Sequence, residues 1–381
     1  MRVLIIDKTA VLPTSRAKWR MLNARSSVEV TLLCPHVWVE NYTHLPYEQH
    51  PDDDYPVITG RVLFPGYGNR GLYLTGLCKA IHRTRPDIVH CVEEPFSLFT
   101  AQTLLAMRLL RRNAKLTCYG WENLAYDYRY PYRPRALYKC IEGMTLKRIG
   151  HAVVANTEAG NVLRNHGYRG ETPVVYYGTD LSAFHPGDGA DLRRQLGLSG
   201  KVIGYIGRLL PSKGVDLLVR ALAQLGGDVT LLIIGEGEAR SALQKLANQL
   251  GMTDRIRWVE VVDHAAVPDY LQTMDALALP SRTTPTWKEQ YGRVLVEAMA
   301  CGVPVVGSDS GAIPEVIGDA GLIFPENEHP ALAACLRSIL DAPEVAASFR
   351  EKGLARALGK FSNAAFVDGL IDVYRQILEV D

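Results

Sequence analysis

The amino-acid sequence predicts an α/β fold made of two doubly wound domains with a cleft between them. Three observations carry this expectation. Short apolar runs rich in β-branched residues alternate with helical runs along the chain. The alternation falls into two series, one in each half. A chain of 381 residues also has the length of two domains rather than one.

In the first series the strand-like runs are residues 2–6, 28–33, 87–91, 115–118 and 152–155. In the second they are residues 202–206, 230–234, 256–260, 276–278 and 303–306. Strands separated by helical stretches pair in parallel through crossovers, which gives βαβ units. Residues 177–189 are rich in Gly, Pro and Asp and read as the linker. The expected domains are therefore residues 1–180 and 181–365. After them, Phe366, Leu370, Tyr374, Ile377 and Leu378 form the apolar face of a last helix over about residues 366–381. No short repeat of solenoid period is present.

Composition narrows the class. Apolar residues make up 47% and charged residues 22%, the balance of an ordinary soluble globular protein. No run of 18 apolar residues occurs, so no membrane span is expected. The first seven residues read as a short strand rather than a signal peptide, since their apolar run is only four residues. Seven scattered cysteines without a C-x-x-C pattern argue for a reducing compartment, with the cytoplasm as the expectation. They argue equally against a disulfide framework or a zinc site.

The net charge of +1 hides an asymmetry. Residues 1–180 carry 23 Lys+Arg and 16 Asp+Glu, a balance of +7, which leaves −6 for the remainder. A basic first half suggests an anionic partner. Residues 104–115 (Arg108, Arg111, Arg112, Lys115) and 133–148 (Arg133, Arg135, Lys139, Lys147, Arg148) concentrate it. They are either basic amphipathic helices on an anionic membrane surface or core-packing helices with solvated basic faces. The pI of 7.6, with no nucleic-acid motif, argues against a nucleic-acid partner. The acidic triplet Asp52, Asp53 and Asp54 reads as solvated charge in a Pro-rich loop.

The most informative motif is the pair Glu289 and Glu297, eight residues apart. Thr284, Pro285 and Gly292 mark a loop, after which Val294, Leu295, Ala298 and Met299 recur at helical spacing. Glu289 thus falls before a helix start and Glu297 about two turns along. A helix start offers N–H groups and a positive dipole end to an anion. Two glutamates at this spacing are, by themselves, usually solvated charges. The flanking residues alter that reading. Pro280-Ser281, Gly292, Glu297 with Ala298, Met299 and Ala300, Gly302 and Pro304 with Val305 and Val306 together resemble the donor-site signature of family 4 retaining glycosyltransferases (glycosyl transferases group 1), which have the GT-B fold.

The resemblance extends along residues 177 to about 340 and is loose before them. Gly204, Gly207, Arg208, Lys213 and Gly214 resemble the family's G-R-x-x-x-x-K-G segment. The strand end with Gly235 and Gly237, residues 270–280, and the turns at Gly311–Val316 and Ala320-Gly321 also resemble family segments. Residues 177–184 resemble the family's interdomain segment, G-x-D-x-x-x-F. The resemblance implies two Rossmann-like domains, a first that binds acceptor and a second that binds donor, with the last helix crossing back to the first domain.

It also implies roles. Arg208 and Lys213 would carry the leaving diphosphate, the one as a planar fork and the other as a mobile point charge. Glu289 would contact donor-sugar hydroxyls, and Glu297 the nucleotide ribose. Gly207, Gly235 and Gly237 would shape the nucleotide slot or simply form turns, and residues 260–263 would approach the base. Tyr291, Gly292, Arg293, Val294 and Leu295 would bring backbone N–H groups to the diphosphate. Arg293 either adds charge there or points to solvent. The implied reaction is a retaining hexosyltransferase-like transfer from a UDP- or GDP-sugar to a carbohydrate or lipid-linked acceptor, in glycan or glycolipid assembly. No metal and no cofactor are expected, since the nucleotide sugar is a substrate. Location is expected in the cytoplasm or on the inner face of the membrane.

The first domain departs from the family. No glycine follows the first strand before Gly60; Lys8 stands there and is a candidate substitute. Where many members have a histidine, Tyr119, Gly120, Trp121 and Glu122 stand. Acceptor-side candidates are His90, Glu93, Glu94, Trp121 and Glu122. A histidine that ends a strand is more often structural, and Trp121 suits sugar or lipid contact and a core equally. Two alternatives remain: a nucleotide-sugar 2-epimerase of the same fold, and a non-catalytic nucleotide-sugar-binding scaffold. A Rossmann dehydrogenase does not fit, because no G-x-G-x-x-G opens a helix after the first strand.

Overall fold

A computed structural model describes residues 1–40, 43–111, 113–125 and 134–379. Arg112 and Arg133 of the two basic stretches, and the end of the last helix beyond residue 379, lie outside the described residues.

The chain divides into two compact units. The first comprises Met1–Gly178 together with Asn363–Asp381, and the second Thr179–Ser362. In each, six strands form a sheet in which every pair is parallel. The first sheet runs Ile149–Val154, Lys115–Gly120, Ile88–Cys91, Arg2–Ile6, Glu29–Pro35, Val57–Gly60. The second runs Ile256–Val259, Val229–Ile234, Lys201–Ile206, Ala276–Leu279, Val305–Ser308, Gly321–Phe324. Both are the doubly wound α/β sheets that the alternating pattern predicts. Inner strands such as Val3–Ile6 and Leu231–Ile234 are buried on both faces, so they read as continuous apolar runs.

In both sheets the strand order reverses beside the first strand of the unit. Such a reversal opens a crevice at the carboxyl ends of two adjacent strands. In the first unit those strands are Arg2–Ile6 and Ile88–Cys91; in the second they are Lys201–Ile206 and Ala276–Leu279.

Several elements escape the sequence pattern. Residues 320–321, which resemble a closing turn, lead directly into the sixth strand Gly321–Phe324. Its first three residues are only half-buried, so no continuous buried run marks it. The strand expected over 303–306 begins at Val305, and the carbonyl of Pro304 accepts from Leu277 N–H just outside it. An antiparallel pair, Val62–Leu63 with Leu72–Tyr73, also joins the first unit.

The helix Asn363–Glu379 closes the core of the first unit. Phe366, Leu370 and Tyr374 are buried there, with Trp19 edge-on to Phe366 at 5.8 Å. Beside this core lies a charged one. Arg16 is fully buried and donates to Asp53 Oδ2 at 2.8 Å and to the carbonyls of Ala10 and Val11. Arg20 adds a contact to Asp53 Oδ1 at 3.1 Å. The acidic triplet is therefore not uniformly solvated: the side chain of Asp53 is 3% exposed and balances a buried guanidinium. Removing one partner of a buried pair leaves an uncompensated charge. Asp53→Ala is expected to destabilise the protein by about 3 kcal/mol, read as a fall in the denaturant midpoint; Asp52→Ala, at an exposed side chain, should leave that midpoint in place.

Candidate functional site

The site takes shape where three turns of the second unit converge on Glu289. The first follows the strand Lys201–Ile206 and carries Gly207, Arg208 and Lys213. The second follows Ala276–Leu279 and runs from Ser281 to Gly292. The third follows Val305–Ser308 and holds Ser310, Gly311 and Ala312.

Each turn is fastened to the next. Arg282 forms a bidentate pair with Asp216 at 2.6 and 2.7 Å, and its N–H donates to the Ser212 carbonyl. That fork ties the second turn to the first and fixes Lys213 at the crevice. Ser308 Oγ donates to the Ser281 carbonyl, and Ala312 N–H donates to the Glu289 carbonyl at 2.9 Å. Gly311 has φ of +55°, and a Cβ there would lie 2.1 Å from the Glu289 carbonyl oxygen. Only glycine permits so close an approach in that conformation.

Within this frame the charged groups meet. Lys213 Nζ lies 2.6 Å from Glu289 Oε2, and Ser281 Oγ donates to the same oxygen at 3.0 Å. Trp287 places its ring 4.4 Å below the Lys213 ammonium. Both members of the ion pair are largely buried, where an ion pair is screened less than at the surface. Arg208 is exposed on the same turn, without an ion-pair partner among the described residues.

Glu297 sits on the helix Arg293–Ala300. Gly292, at φ of +74°, caps that helix, and residues 289–292 of the eight-residue spacing lie outside it, so Glu297 is about one turn along rather than two. Its buried carboxylate receives His264 Nε2 at 2.9 Å, and Arg293 Nε approaches at 3.3 Å. Arg293 itself is exposed. The Leu295 side chain is in the core and its N–H donates to the Gly292 carbonyl, so the leading N–H groups toward an anion are those of Arg293 and Val294. Tyr291 is half-buried, with its hydroxyl 3.1 Å from Thr179 Oγ1. Gly207 and Gly235 bring neighbouring turns into contact, since a Cβ on Gly235 would meet the Gly207 carbonyl at 2.0 Å. Gly237 packs likewise on the Leu209 carbonyl.

His264 and Trp287 belong to the site and lie outside the motifs that mark it in the chain. The run of residues 260–263 stops one short of His264, and nothing local marks the ring as a partner of a residue 33 positions later. Trp287, two residues before Glu289, was a signal within reach.

The first unit repeats the arrangement at its own crevice. Lys8 follows the strand Arg2–Ile6, and its Nζ lies 2.7 Å from Glu93 Oε2, just after Ile88–Cys91. Burial pushes the Glu93 carboxyl up, and Lys8 opposes the shift. The other oxygen, Oε1, is buried with no hydrogen-bond partner among the described residues. Glu94 Oε1 accepts from the N–H groups of Trp121 and Glu122 at 2.6 and 3.0 Å. Loss of hydration still raises its carboxyl to about 8; the two N–H donors oppose the rise and the Glu122 carboxylate adds to it. Trp121 packs edge-on against Tyr119 and Tyr177, with Nε1 buried and unpartnered among the described residues. Glu122 accepts from the Leu124 N–H.

His90 departs from this group. It is wholly buried beneath the strand ends, with Nδ1 2.9 Å from the Tyr374 hydroxyl and the Trp19 ring at 6.3 Å. Its position among aromatic rings makes it a core residue rather than an acceptor-side one. Burial lowers its pKa from 6.5 to about 3.

Residues 190–356 match the model of the family described as glycosyl transferases group 1. The chain is 34% identical over 243 residues to a D-inositol 3-phosphate glycosyltransferase of Segniliparus rotundus, across 59% of this chain and 52% of that one. It spans about half the length of the curated relatives it matches. Among solved structures it resembles sucrose-phosphate synthase from Thermosynechococcus elongatus, with a TM-score of 0.70 and 20% identity over 100% of both chains. HepE of Anabaena in complex with UDP gives 0.71 and 20% identity over 99% of this chain and 100% of that one. These structural likenesses establish the fold, GT-B.

Two outcomes test the geometry. Gly311→Ala should destabilise the protein by about 1–3 kcal/mol, seen in the denaturation midpoint, because the Glu289 turn has to move. For His90, the unfolded chain takes up a proton below pH 6.5 while the folded protein holds the ring neutral down to about 3. The folded state then binds fewer protons, so stability falls as pH drops through that window, by at most about 1.4 kcal/mol per pH unit. Denaturation of wild type and His90→Leu between these limits should show the steeper decline in wild type; superimposable profiles would rule the assignment out.

Proposed function

We propose, from the match of residues 190–356 to the glycosyl transferases group 1 model, that the chain transfers a sugar from a nucleoside-diphosphate sugar to an acceptor hydroxyl with retention of configuration. The observation that carries this reading is the Lys213–Glu289 pair at the crevice of the second unit, between exposed Arg208 and the helix start at Arg293. Cations beside a helix start suit a diphosphate, and a fixed carboxylate suits sugar hydroxyls.

In this scheme Glu289, steadied by Lys213 and Ser281, accepts hydrogen bonds from the donor sugar. Glu297 holds the ribose diol, with His264 orienting its carboxylate. When the bond between the anomeric carbon and the phosphate oxygen breaks, negative charge grows on that oxygen. Arg208, Lys213 and the N–H groups of Arg293 and Val294 stabilise it, which is electrostatic catalysis at the place where charge develops. The acceptor hydroxyl attacks from the same face, and its proton passes to the departing phosphate oxygen. Positive charge comes from the protein throughout, so the scheme gives no role to a metal ion. UDP is the favoured nucleotide, because a protein of like fold is described in complex with it. The acceptor, a carbohydrate or lipid-linked hydroxyl, falls to the first unit, where Glu93, Glu94, Trp121 and Glu122 stand at the strand ends. Glycan or glycolipid assembly is the setting.

A thermal-shift series with UDP, GDP and their sugars tests this. UDP is expected to raise the melting temperature of wild type and not of Arg208→Ala. Glu289→Ala should keep the UDP shift yet lower transfer by about a hundredfold or more. Wild-type protein that binds UDP-sugars and never turns them over would be a scaffold instead, and an epimerised nucleotide sugar would make it an epimerase.

A further inference from the structure

Trp287 stands at the crevice of the second unit with its ring half-buried, and the transfer scheme gives it no part. Its place is fixed by the backbone, because the segment from Arg282 to Trp287 is fastened along its length. Beyond the fork to Asp216, Arg282 Nε donates to Asn327 Oδ1 at 2.6 Å. The Thr283 N–H donates to Glu326 Oε2 at 2.7 Å, and the Thr283 hydroxyl lies 3.0 Å from Ser310 Oγ. The Thr284 N–H and hydroxyl both donate to the Trp287 carbonyl, at 2.7 and 3.0 Å, which closes a tight turn. Pro285 stands second in that turn, where its fixed φ favours the bend.

The lysine is set from the other side. Lys213 ends the short helical turn Pro211–Lys213, and Gly214 follows at φ of +66°. A Cβ on Gly214 would lie 2.0 Å from the Pro280 carbonyl oxygen, so this turn rests directly on the next. The two backbones thus bring the indole ring and the ammonium to 4.4 Å. Attraction between a cation and a ring reaches to about 6 Å and is strongest with tryptophan. Lys8 of the first unit lies at the edge of that range, 5.8 Å from the Trp38 ring and 5.9 Å from that of Phe99. Lys213 is well inside it, and its side chain is only 14% exposed, so little water screens the contact.

A lysine is a point charge on a flexible stem, so it acts at one place only if something holds it there. Glu289 alone is a poor holder. A carboxylate neutralises the ammonium that it grips, and in the transfer scheme Glu289 also accepts from hydroxyls of the donor sugar. An aromatic face holds the ammonium without neutralising it. The N–H groups not bound to Glu289 then remain for a phosphate oxygen. A positive charge set in place beforehand is what a breaking bond to phosphate requires.

We propose that Trp287 is a positioning residue for sugar transfer: its ring holds the Lys213 ammonium at the crevice while Glu289 binds the donor sugar. The ring acts through Lys213 and touches no reacting atom. This inference rests on the sugar-transfer reading.

Two measurements on the full chain test it. In the first, lysines are labelled with a trace of acetic anhydride and Lys213 is followed by mass spectrometry. Loss of the ring frees the ammonium and eases the departure of its proton. Trp287→Leu should therefore raise Lys213 labelling about fivefold, and Trp287→Phe should keep most of the protection. In the second, UDP-glucose is the probe and UDP release is timed in a double-mutant cycle with Lys213→Met. Trp287→Leu should lower kcat about tenfold and change KM by less than about threefold. In the Lys213→Met background the same change should cost less than about twofold, since the ring has lost its partner. Trp287→Phe should recover most of the rate. A ring that only packs would lower the melting temperature and cost the same in both backgrounds. Equal losses with and without Lys213, or unchanged Lys213 labelling, would overturn the proposal. Wild type that releases no UDP would overturn the transfer reading, and the labelling would still decide whether the ring holds the ammonium.

Discussion

Everything in the second unit's crevice depends on one constraint: the backbone of Glu289 is fixed from both sides. Ala312 donates to its carbonyl, Gly311 packs against that same oxygen, and the Arg282–Asp216 fork draws Lys213 into place beside its carboxylate. Three loops that follow three adjacent strands thereby act as a single rigid part. Loops are ordinarily the mobile portion of an α/β protein. Here hydrogen bonds and close glycine contacts give them the definition of regular structure, and a carboxylate held in this way needs no reorganisation when a ligand arrives.

The first unit uses the same device with different surroundings. Lys8–Glu93 and Lys213–Glu289 both join the loop after the first strand to the loop after its neighbour across the reversal of strand order. The environments separate them. Glu289 shares its oxygen with a serine hydroxyl, whereas Glu93 keeps one buried oxygen unpartnered among the described residues. A buried oxygen without a partner is costly. The two crevices are thus alike in topology and unlike in how their carboxylates are hydrogen-bonded.

The legible part of this fold was the part written in local pattern. Runs such as Val3–Ile6 and Leu231–Ile234 are buried on both faces, so their apolar continuity shows in the chain. The strand Gly321–Phe324 lies half-exposed for most of its length, and its glycine looks like a turn. Glu289, Lys213 and Glu297 stood out because fixed spacings around glycines mark them in the chain, and the fold pairs the first two. His264 did not, because its role exists only through a carboxylate on another element. Asp53 and His90 misled for one reason: burial is a property of the folded unit, and a charged triplet or a histidine at a strand end looks the same in the chain whether it ends in water or in the core.

The return of the helix Asn363–Glu379 to the first unit has a consequence for how the chain is made. A ribosome releases residues 1–178 first, yet Trp19, Tyr119 and His90 have no Phe366 or Tyr374 to pack against until the whole second unit has emerged. Domains generally fold in the order of their synthesis. In this protein the unit that begins first is completed last, and its aromatic core stays open to chaperones and proteases while about half the chain is still being translated.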